Sequence, residues 1–518
     1  MLFAACVVVC KKKQQHFLDL PLKTGAEQSQ KHSASEYRPN FKPTLGLATA
    51  VSIVVGGVIG SGIFKKPAAM AQELGSPELL LAVWLVAGIL TLFGALTNAE
   101  IAGMISETGG QYVFFREMYG KFFSYLYGWS MFAVVQTASI ASITYVFAEA
   151  ADTFLHLPHL SASAEKFSIH LPFIGDIFPL KDIGIKLLTS GAILLLSAVN
   201  YIGAVFGGAV QMLFTSLKVA ALAAIIALAF FSGAGSAANY ISAGTSSVMP
   251  QGWALAGAVV AALSGAFWAF DGWNNITYIA GETREPQRNI PRSLFAGMAI
   301  IIVVYMLINL AYLYILPVNV MAQSGLVAVD VIAAILGKIS PQYAALATGI
   351  IAFCIMISTF GTSNGTILAT ARIYFAMSLD GLFFKSTGKL HNKFRTPANA
   401  LAIQAVWSCV LTFSGTFDTL TDTLIFVSWL FYMLGALGVF ILRKKMPDVP
   451  RPYRVWGYPA VPAIFVIFAA AFVIMTLYND TANYLSGNAP IINSAFGLAL
   501  VGLGVPFYAY FTRKHRSE

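Results

Sequence analysis

Apolar residues in this chain gather in long unbroken runs rather than at alternating positions. LLLAVWLVAGILTLFGAL at 79–96 and AVPAIFVIFAAAFVIMTL at 460–477 are two of them. A run of about 20 such residues is long enough to cross a bilayer as a helix. Inside lipid the backbone must satisfy its own N–H and C=O groups, so a span is either a helix or part of a closed barrel. Barrel strands alternate with a period of two, and these runs do not. The pattern predicts an all-α polytopic membrane protein with 12 transmembrane helices: 44–71, 79–104, 122–150, 183–202, 207–232, 253–281, 293–316, 342–371, 397–415, 420–442, 458–478 and 491–511.

An even number of spans places both termini on one side. With the termini inside, 25 of the 32 basic residues fall on inner segments. Lys65, Lys66, Lys166, Lys181, Lys186 and Lys338 fall in outer loops or at outer helix ends, and Lys218 is the remaining one, inside a span. That bias predicts cytoplasmic termini and a multi-pass protein of the cell membrane, plasma or inner. It also accounts for the formal charge of +9, so no nucleic-acid partner is implied.

Composition agrees. Charged residues make up 11% of the chain and apolar residues 57%, whereas soluble domains carry about 25% charged residues. The four cysteines, Cys6, Cys10, Cys354 and Cys409, form no disulfide framework, since two lie in the N-terminal segment and two in spans. MLFAACVVVC at the start precedes three lysines, the reverse of a signal peptide. Residues 1–43 therefore read as a disordered cytoplasmic tail, and 512–518 as a short second one.

Two spans carry an internal break. VVGGVIGSGIFKKPA (54–68) has Gly60, Ser61 and Gly62 at its centre, and FWAFDGWNNITYIAGE (267–282) has Asp271 and Gly272. Gly costs about 1 kcal/mol in a helix interior relative to Ala, so these points permit unwinding. The breaks fall in the first and sixth spans. Spans one to five (44–232) and six to ten (253–442) have matching lengths. The second unit of five must enter from the opposite side, which makes a five-plus-five inverted repeat, with two further spans at 458–511. Transporters use broken helices of this kind to build a site at mid-membrane.

At the first break, free N–H groups at Ser61 and Gly62 suit a carboxylate, and free carbonyls near Ile59 suit an ammonium. Helix packing through Gly56 and Gly60 is an equal reading of the same residues. Asp271 is an acid in mid-span, flanked by Phe267, Trp268, Phe270 and Trp273. An ionisable residue at that depth marks function or a helix-to-helix pairing. Trp268 and Phe270 either wall a substrate or pack helices. Lys218, in LFTSLKVAALAAII, needs a carbonyl or carboxylate partner, and its ammonium can stand where a coupling cation would sit. Ser358, Thr359 and Asn364 are polar within the eighth span and either bond across helices or face Lys218. Glu100 reads as a solvated helix end.

Enzyme chemistry finds no support. All seven histidines fall in tails or loops, and no HExxH, phosphate-binding loop or cysteine-rich metal spacing occurs. The reading contains no catalytic residues, no metal and no cofactor. A channel lacks a repeated pore signature, and a membrane sensor lacks an output domain.

These motifs resemble those of a known group. VIGSGIF (58–64) is similar to the first-span signature of the amino acid–polyamine–organocation superfamily. FWAFDGWNNITYIAGETREPQRNIPRSL (267–294) resembles the sixth span and following loop of its L-type amino acid transporter family. ISETGGQYVF (105–114), ISTFGTSNGTILATARIYFAMSLDG (357–381) and FVSWLFYMLGALGVFILRKKMPDVPRPYRV (426–455) resemble later elements of that family in the same order. The resemblance implies a LeuT-like core, with an amino acid held between the first and sixth spans. It implies a carboxylate on Ser61 and Gly62, and an amine on Ile59 and the Trp268, Ala269, Phe270, Asp271 stretch. It implies Trp268 as an outer gate, and Lys218 in a sodium-like site against the first and eighth spans, near Ser358 and Thr359. The expected activity is sodium-independent exchange of neutral amino acids. A proton-coupled or cationic amino acid or polyamine carrier is the alternative, since many relatives have a small residue where Asp271 stands. Animal members pair with a single-span subunit through an outer-loop cysteine. The 151–182 loop has none, so no disulfide-linked partner is expected.

Overall fold

In the computed structural model, described residues are 41–171, 175–241, 251–414, 417–487 and 492–516. The tail expectation for residues 1–40, with Cys6 and Cys10, lies outside them. Among the described residues, eleven helices are long and apolar enough to cross a membrane, and a shorter one, Ala398–Ser414, takes the ninth place. The spans sit where the apolar runs predict. Two short strands, Ile169–Leu171 and Gly175–Ile177, pair antiparallel in the loop between the third and fourth spans.

Boundaries differ where chemistry overrides hydropathy. The sixth span is helical over Trp253–Phe270 and then leaves the helix, because Asp271 is extended and Gly272 takes a φ of +97°. Its continuation is one turn, Asn275–Tyr278. The eighth span runs on to Leu379, eight residues past the expected end. The hydropathy reading stops at Arg372, but that arginine is fully buried and paired with Glu282. It is a second cation inside a helix, not a loop residue. The twelfth span bends at Leu503, between Asn493–Gly502 and Gly504–Arg516. Pro506 has no N–H to offer the Gly502 carbonyl.

Stretches read as loops also fold. Val327–Ile339 buries Val327, Ala328, Val331, Ile332 and Ile335, a one-sided apolar face. Gln111–Tyr119 buries Tyr112, Phe115 and Met118. Glu100, expected to be solvated, is buried. It accepts from Arg443 (2.9 and 2.7 Å) and from the Val455 N–H (2.7 Å).

The packing repeats with an offset of five. The first span packs on the sixth, the second on the seventh, the third on the eighth and the fourth on the ninth. The fifth lies against the first and eighth, and the tenth against the sixth and third. The eleventh covers the tenth and second.

Candidate functional site

The first span consists of two helices, Leu47–Val58 and Gly62–Leu74, with Ile59, Gly60 and Ser61 between them. Ile59 turns to ψ 91°, which takes its carbonyl off the helix axis, and the Gly56 carbonyl receives no N–H from Gly60. Backbone N–H groups at the start of a helix have no intrahelical acceptor. Among the described residues, those of Gly60, Ser61, Gly62 and Ile63 donate to no protein oxygen.

Lys218 crosses from the fifth span to the other side of this break. It is 1% exposed. Its ammonium donates to Ile59 O (2.6 Å), Gly56 O (2.9 Å) and Thr362 Oγ1 (2.8 Å). An ammonium has three N–H donors, and all three are used. None of the partners is a carboxylate. Ser358 Oγ lies 3.2 Å from the same Ile59 carbonyl. Two backbone carbonyls and a hydroxyl around one positive charge are the ligand type that small hard cations take.

Ser358 and Thr362 are four residues apart on one helix face. Thr359 is a third of a turn away, and its hydroxyl donates to Ile355 O within its own helix (2.7 Å). Thr362 therefore takes the place beside Lys218 that the sequence reading gave to Thr359. The i, i+4 spacing from Ser358 is the signal that would have found it. Asn364 faces elsewhere. It donates to Gly207 O and Gln211 Oε1 and accepts from Asn200, which ties the eighth span to the fourth and fifth.

On the other face of the break lies a small cavity. Gly60, Ser61, Gly62, Trp268, Asp271 and Gly272 line it, with Gln136 and Ser139 of the third span, Asn275, Thr362 and Thr366. Ile59, Ala269 and Phe270 stand behind it. Gln136 follows a π turn at Met131–Val135, a feature common at functional sites. The polar run Gln136, Ser139, Ser142 in mid-span was the overlooked sign.

The cavity wall is polar and only partly satisfied. Ser61 Oγ and Asn275 Oδ1 are buried without a hydrogen-bond partner, which a polar ligand would relieve. Asp271 Oδ1 accepts from Tyr432 of the tenth span (2.6 Å). Phe270 points away and packs with Trp84 and Tyr305, ring centres 5.8 and 5.0 Å apart. Tyr305 in turn sits within hydrogen-bond distance of Val58 O and Ala269 O.

Close backbone approach fixes two glycines. A Cβ on Gly272 would lie 2.7 Å from Gly57 O, and one on Gly62 would lie 2.6 Å from Ala269 Cα. The two broken spans touch at these points, so Gly62 serves packing whatever else it does.

Past the sixth-span break lies a buried polar cluster. Tyr127, Gln111, Asn274 and Tyr278 form a buried network with bonds of 2.7–2.9 Å. Beneath it, the N–H groups of Thr44 and Leu45 donate to Glu282 O, and the Arg284 N–H donates to Leu45 O. Arg372 donates through Nε and Nη2 to Glu282 Oε1 (3.0 and 2.7 Å) and through Nη1 to Leu368 O. At the other end, Lys65 of the first span pairs with Glu149 of the third.

Comparison with known proteins gives this arrangement a family. The amino acid permease profile matches residues 45–503. The serine/threonine exchanger of Bacillus subtilis is 31% identical, over 92% of this chain and 98% of that protein. The mouse b(0,+)-type amino acid transporter 1 is 29% identical over 87% of this chain and 85% of its own length. The human large neutral amino acids transporter small subunit 2 is 28% identical over 90% and 80%. Broken first and sixth spans and a match over most of the chain lead to one assignment: this multi-pass helical membrane protein belongs to the amino acid permease family.

Proposed function

We propose that this chain is a sodium-independent exchanger of neutral amino acids that works by alternating access, and that it carries out no catalysis. The observation that carries the reading is the Lys218 ammonium. It places all three donors on an oxygen set of the kind a coupling cation would need. A fixed charge there removes the need for a bound ion. Exchange, and a small neutral substrate, draw support from the relatives, whose names include a serine/threonine exchanger and a transporter of large neutral amino acids.

The substrate lies in the cavity between the two breaks. Its carboxylate takes the unused N–H groups of Ser61 and Gly62, at the positive end of a helix. Its ammonium faces Asp271 and the carbonyls of the 268–271 stretch. The Ile59 carbonyl already accepts from Lys218 and lies within reach of two hydroxyls, so it holds the ammonium less than the sixth span does. Trp268 caps the side chain, and Gly60 and Gly272 let backbone approach the ligand. Ser358 and Thr362 belong to the Lys218 site, and Thr359 supports the helix that carries it.

The offset-of-five packing supports a division into repeat one (44–232) and repeat two (253–442), with 458–511 added. Rocking of the core helices around the substrate opens the inner network and the outer Lys65–Glu149 pair in turn. Positive-inside bias supports cytoplasmic termini in a cell membrane. The 151–182 loop has no cysteine, which supports a chain without a disulfide-linked partner. No cofactor is part of the reading.

The test uses purified protein in sodium-free liposomes and labelled serine. Uptake that requires unlabelled amino acid inside and ignores a pH gradient is the expected result. Uptake into empty liposomes that follows the pH gradient, or that appears only with sodium, refutes it.

A further inference from the structure

A second cavity lies far from the substrate, where the seventh span begins. Gln287, Arg288, Pro291, Arg292 and Phe295 line one side, and Pro452 and Tyr453, from the segment before the eleventh span, line the other. Gly103 of the second span sits at its back, close to Pro291 and the Tyr453 backbone.

Its arginines differ from the others at this end of the molecule. Arg443 is held by Glu100, Arg116 by Asp380 and Arg372 by Glu282. Arg288 reaches only Glu285, at 3.9 Å with both side chains mostly exposed, a contact of little energetic weight. Arg292 makes no hydrogen bond or ion pair among the described residues. Two guanidinium groups therefore line one opening with little to bind.

What lies next to the opening narrows the ligand. Arg288, Arg292 and Phe295 fall at i, i+4 and i+7, on one helix face. Farther along the same span the outward residues are apolar: Phe295 is 55% exposed, Ile300 37%, Val303 56% and Leu307 40%. In a membrane protein that surface faces acyl chains. The donors thus meet the lipid-facing surface at the level where charged headgroups lie. A free anion would use the donors and leave the apolar stripe unused. A phospholipid with a negatively charged headgroup uses both, and basic pockets at the ends of spans are a known way of holding one.

We propose that this cavity binds the headgroup of an anionic phospholipid, whose chain runs along the Phe295–Val303 face. Phosphate oxygens accept from Arg288 and Arg292. The bound lipid bridges the seventh span, which packs on the broken first span, to the segment that leads into the eleventh. On the topology proposed above, this is the cytoplasmic leaflet.

The experiment is native mass spectrometry of the full chain, released from micelles that contain phosphatidylglycerol and phosphatidylcholine in equal amounts. Each basic residue near a membrane surface contributes about 1 kcal/mol toward anionic lipid, or about fivefold in affinity. The expected result is preferential retention of phosphatidylglycerol. Affinity then falls about fivefold in R292Q and about thirtyfold in R288Q/R292Q, with phosphatidylcholine retention unchanged. If the double variant does not fold, R292Q alone decides. Equal retention of the two lipids, or wild-type retention of phosphatidylglycerol in R292Q, overturns the proposal. Displacement of phosphatidylglycerol by millimolar inorganic phosphate also overturns it, by making a free anion the ligand. Transport is not the readout, so this outcome is independent of the exchange test.

Discussion

Two buried cations meet at the eighth span, Arg372 on it and Lys218 against it, and they are held in opposite ways. Arg372 donates twice to one carboxylate, Glu282, and once to a carbonyl of its own helix. Lys218 donates to two carbonyls and a hydroxyl and meets no acid. The arginine pair is neutral, so it needs nothing else and can act as a structural latch under the cavity. The lysine's charge is uncompensated by any partner in contact with it. It stabilises the carbonyls that a helix break leaves free, on the reverse side of the break from the unused N–H groups of Ser61 and Gly62. One cation closes the fold, and the other fixes the shape and charge of the working break.

The largest expected effect separates these roles. Lys218→Ala removes a charged partner from two carbonyls at once. Hydrogen bonds to charged groups contribute about 1.5–3 kcal/mol each, so transport in liposomes should fall by about two orders of magnitude while the protein stays folded. Arg372→Met should do the reverse and act on stability. It leaves Glu282 buried and unpaired, at a cost of about 3–5 kcal/mol, read as a lower thermal midpoint in detergent. Adding Glu282→Leu should recover most of that loss. No such rescue would make the pair more than a latch.

Smaller changes sharpen the contrast. Thr362→Val removes the hydroxyl that accepts from Lys218. About 1–2 kcal/mol is lost, or roughly tenfold in exchange rate. Tyr432→Phe frees the Asp271 carboxylate and should shift the competitor ranking toward cationic side chains, with a few-fold change in uptake of neutral ones. Thr359→Val should be nearly silent, because its hydroxyl serves its own helix. A Thr359→Val variant as impaired as Thr362→Val would mean that the eighth span presents a different face during transport.

Much of this was legible in the chain because the signals are local. Gly60-Ser61-Gly62 and Asp271-Gly272 mark their breaks by residue type alone, and the apolar runs mark the spans. What was illegible depends on partners far away in sequence. Arg372 reads as the start of a loop until Glu282, 90 residues earlier, is known to meet it. Glu100 reads as solvated until Arg443 is placed beside it. The choice between Thr359 and Thr362 depends on which helix face Ser358 shares, and the i, i+4 spacing to Thr362 was its one local sign. Phe270 and Trp268 are two residues apart, and only the packing of Trp84 and Tyr305 decides which one faces the cavity. A Gly62 substitution would have been a poor probe of the carboxylate site, because any side chain there strikes Ala269 before a ligand enters.

The central claim is that Lys218 does the work of a bound cation. Its most direct test compares wild type and Lys218→Ala in serine-loaded, sodium-free liposomes, with both proteins first shown to be folded by their thermal midpoints. The account predicts rapid counterflow of labelled serine in the wild type and almost none in Lys218→Ala. Equal turnover in the two would contradict it and would return Lys218 to a purely structural role.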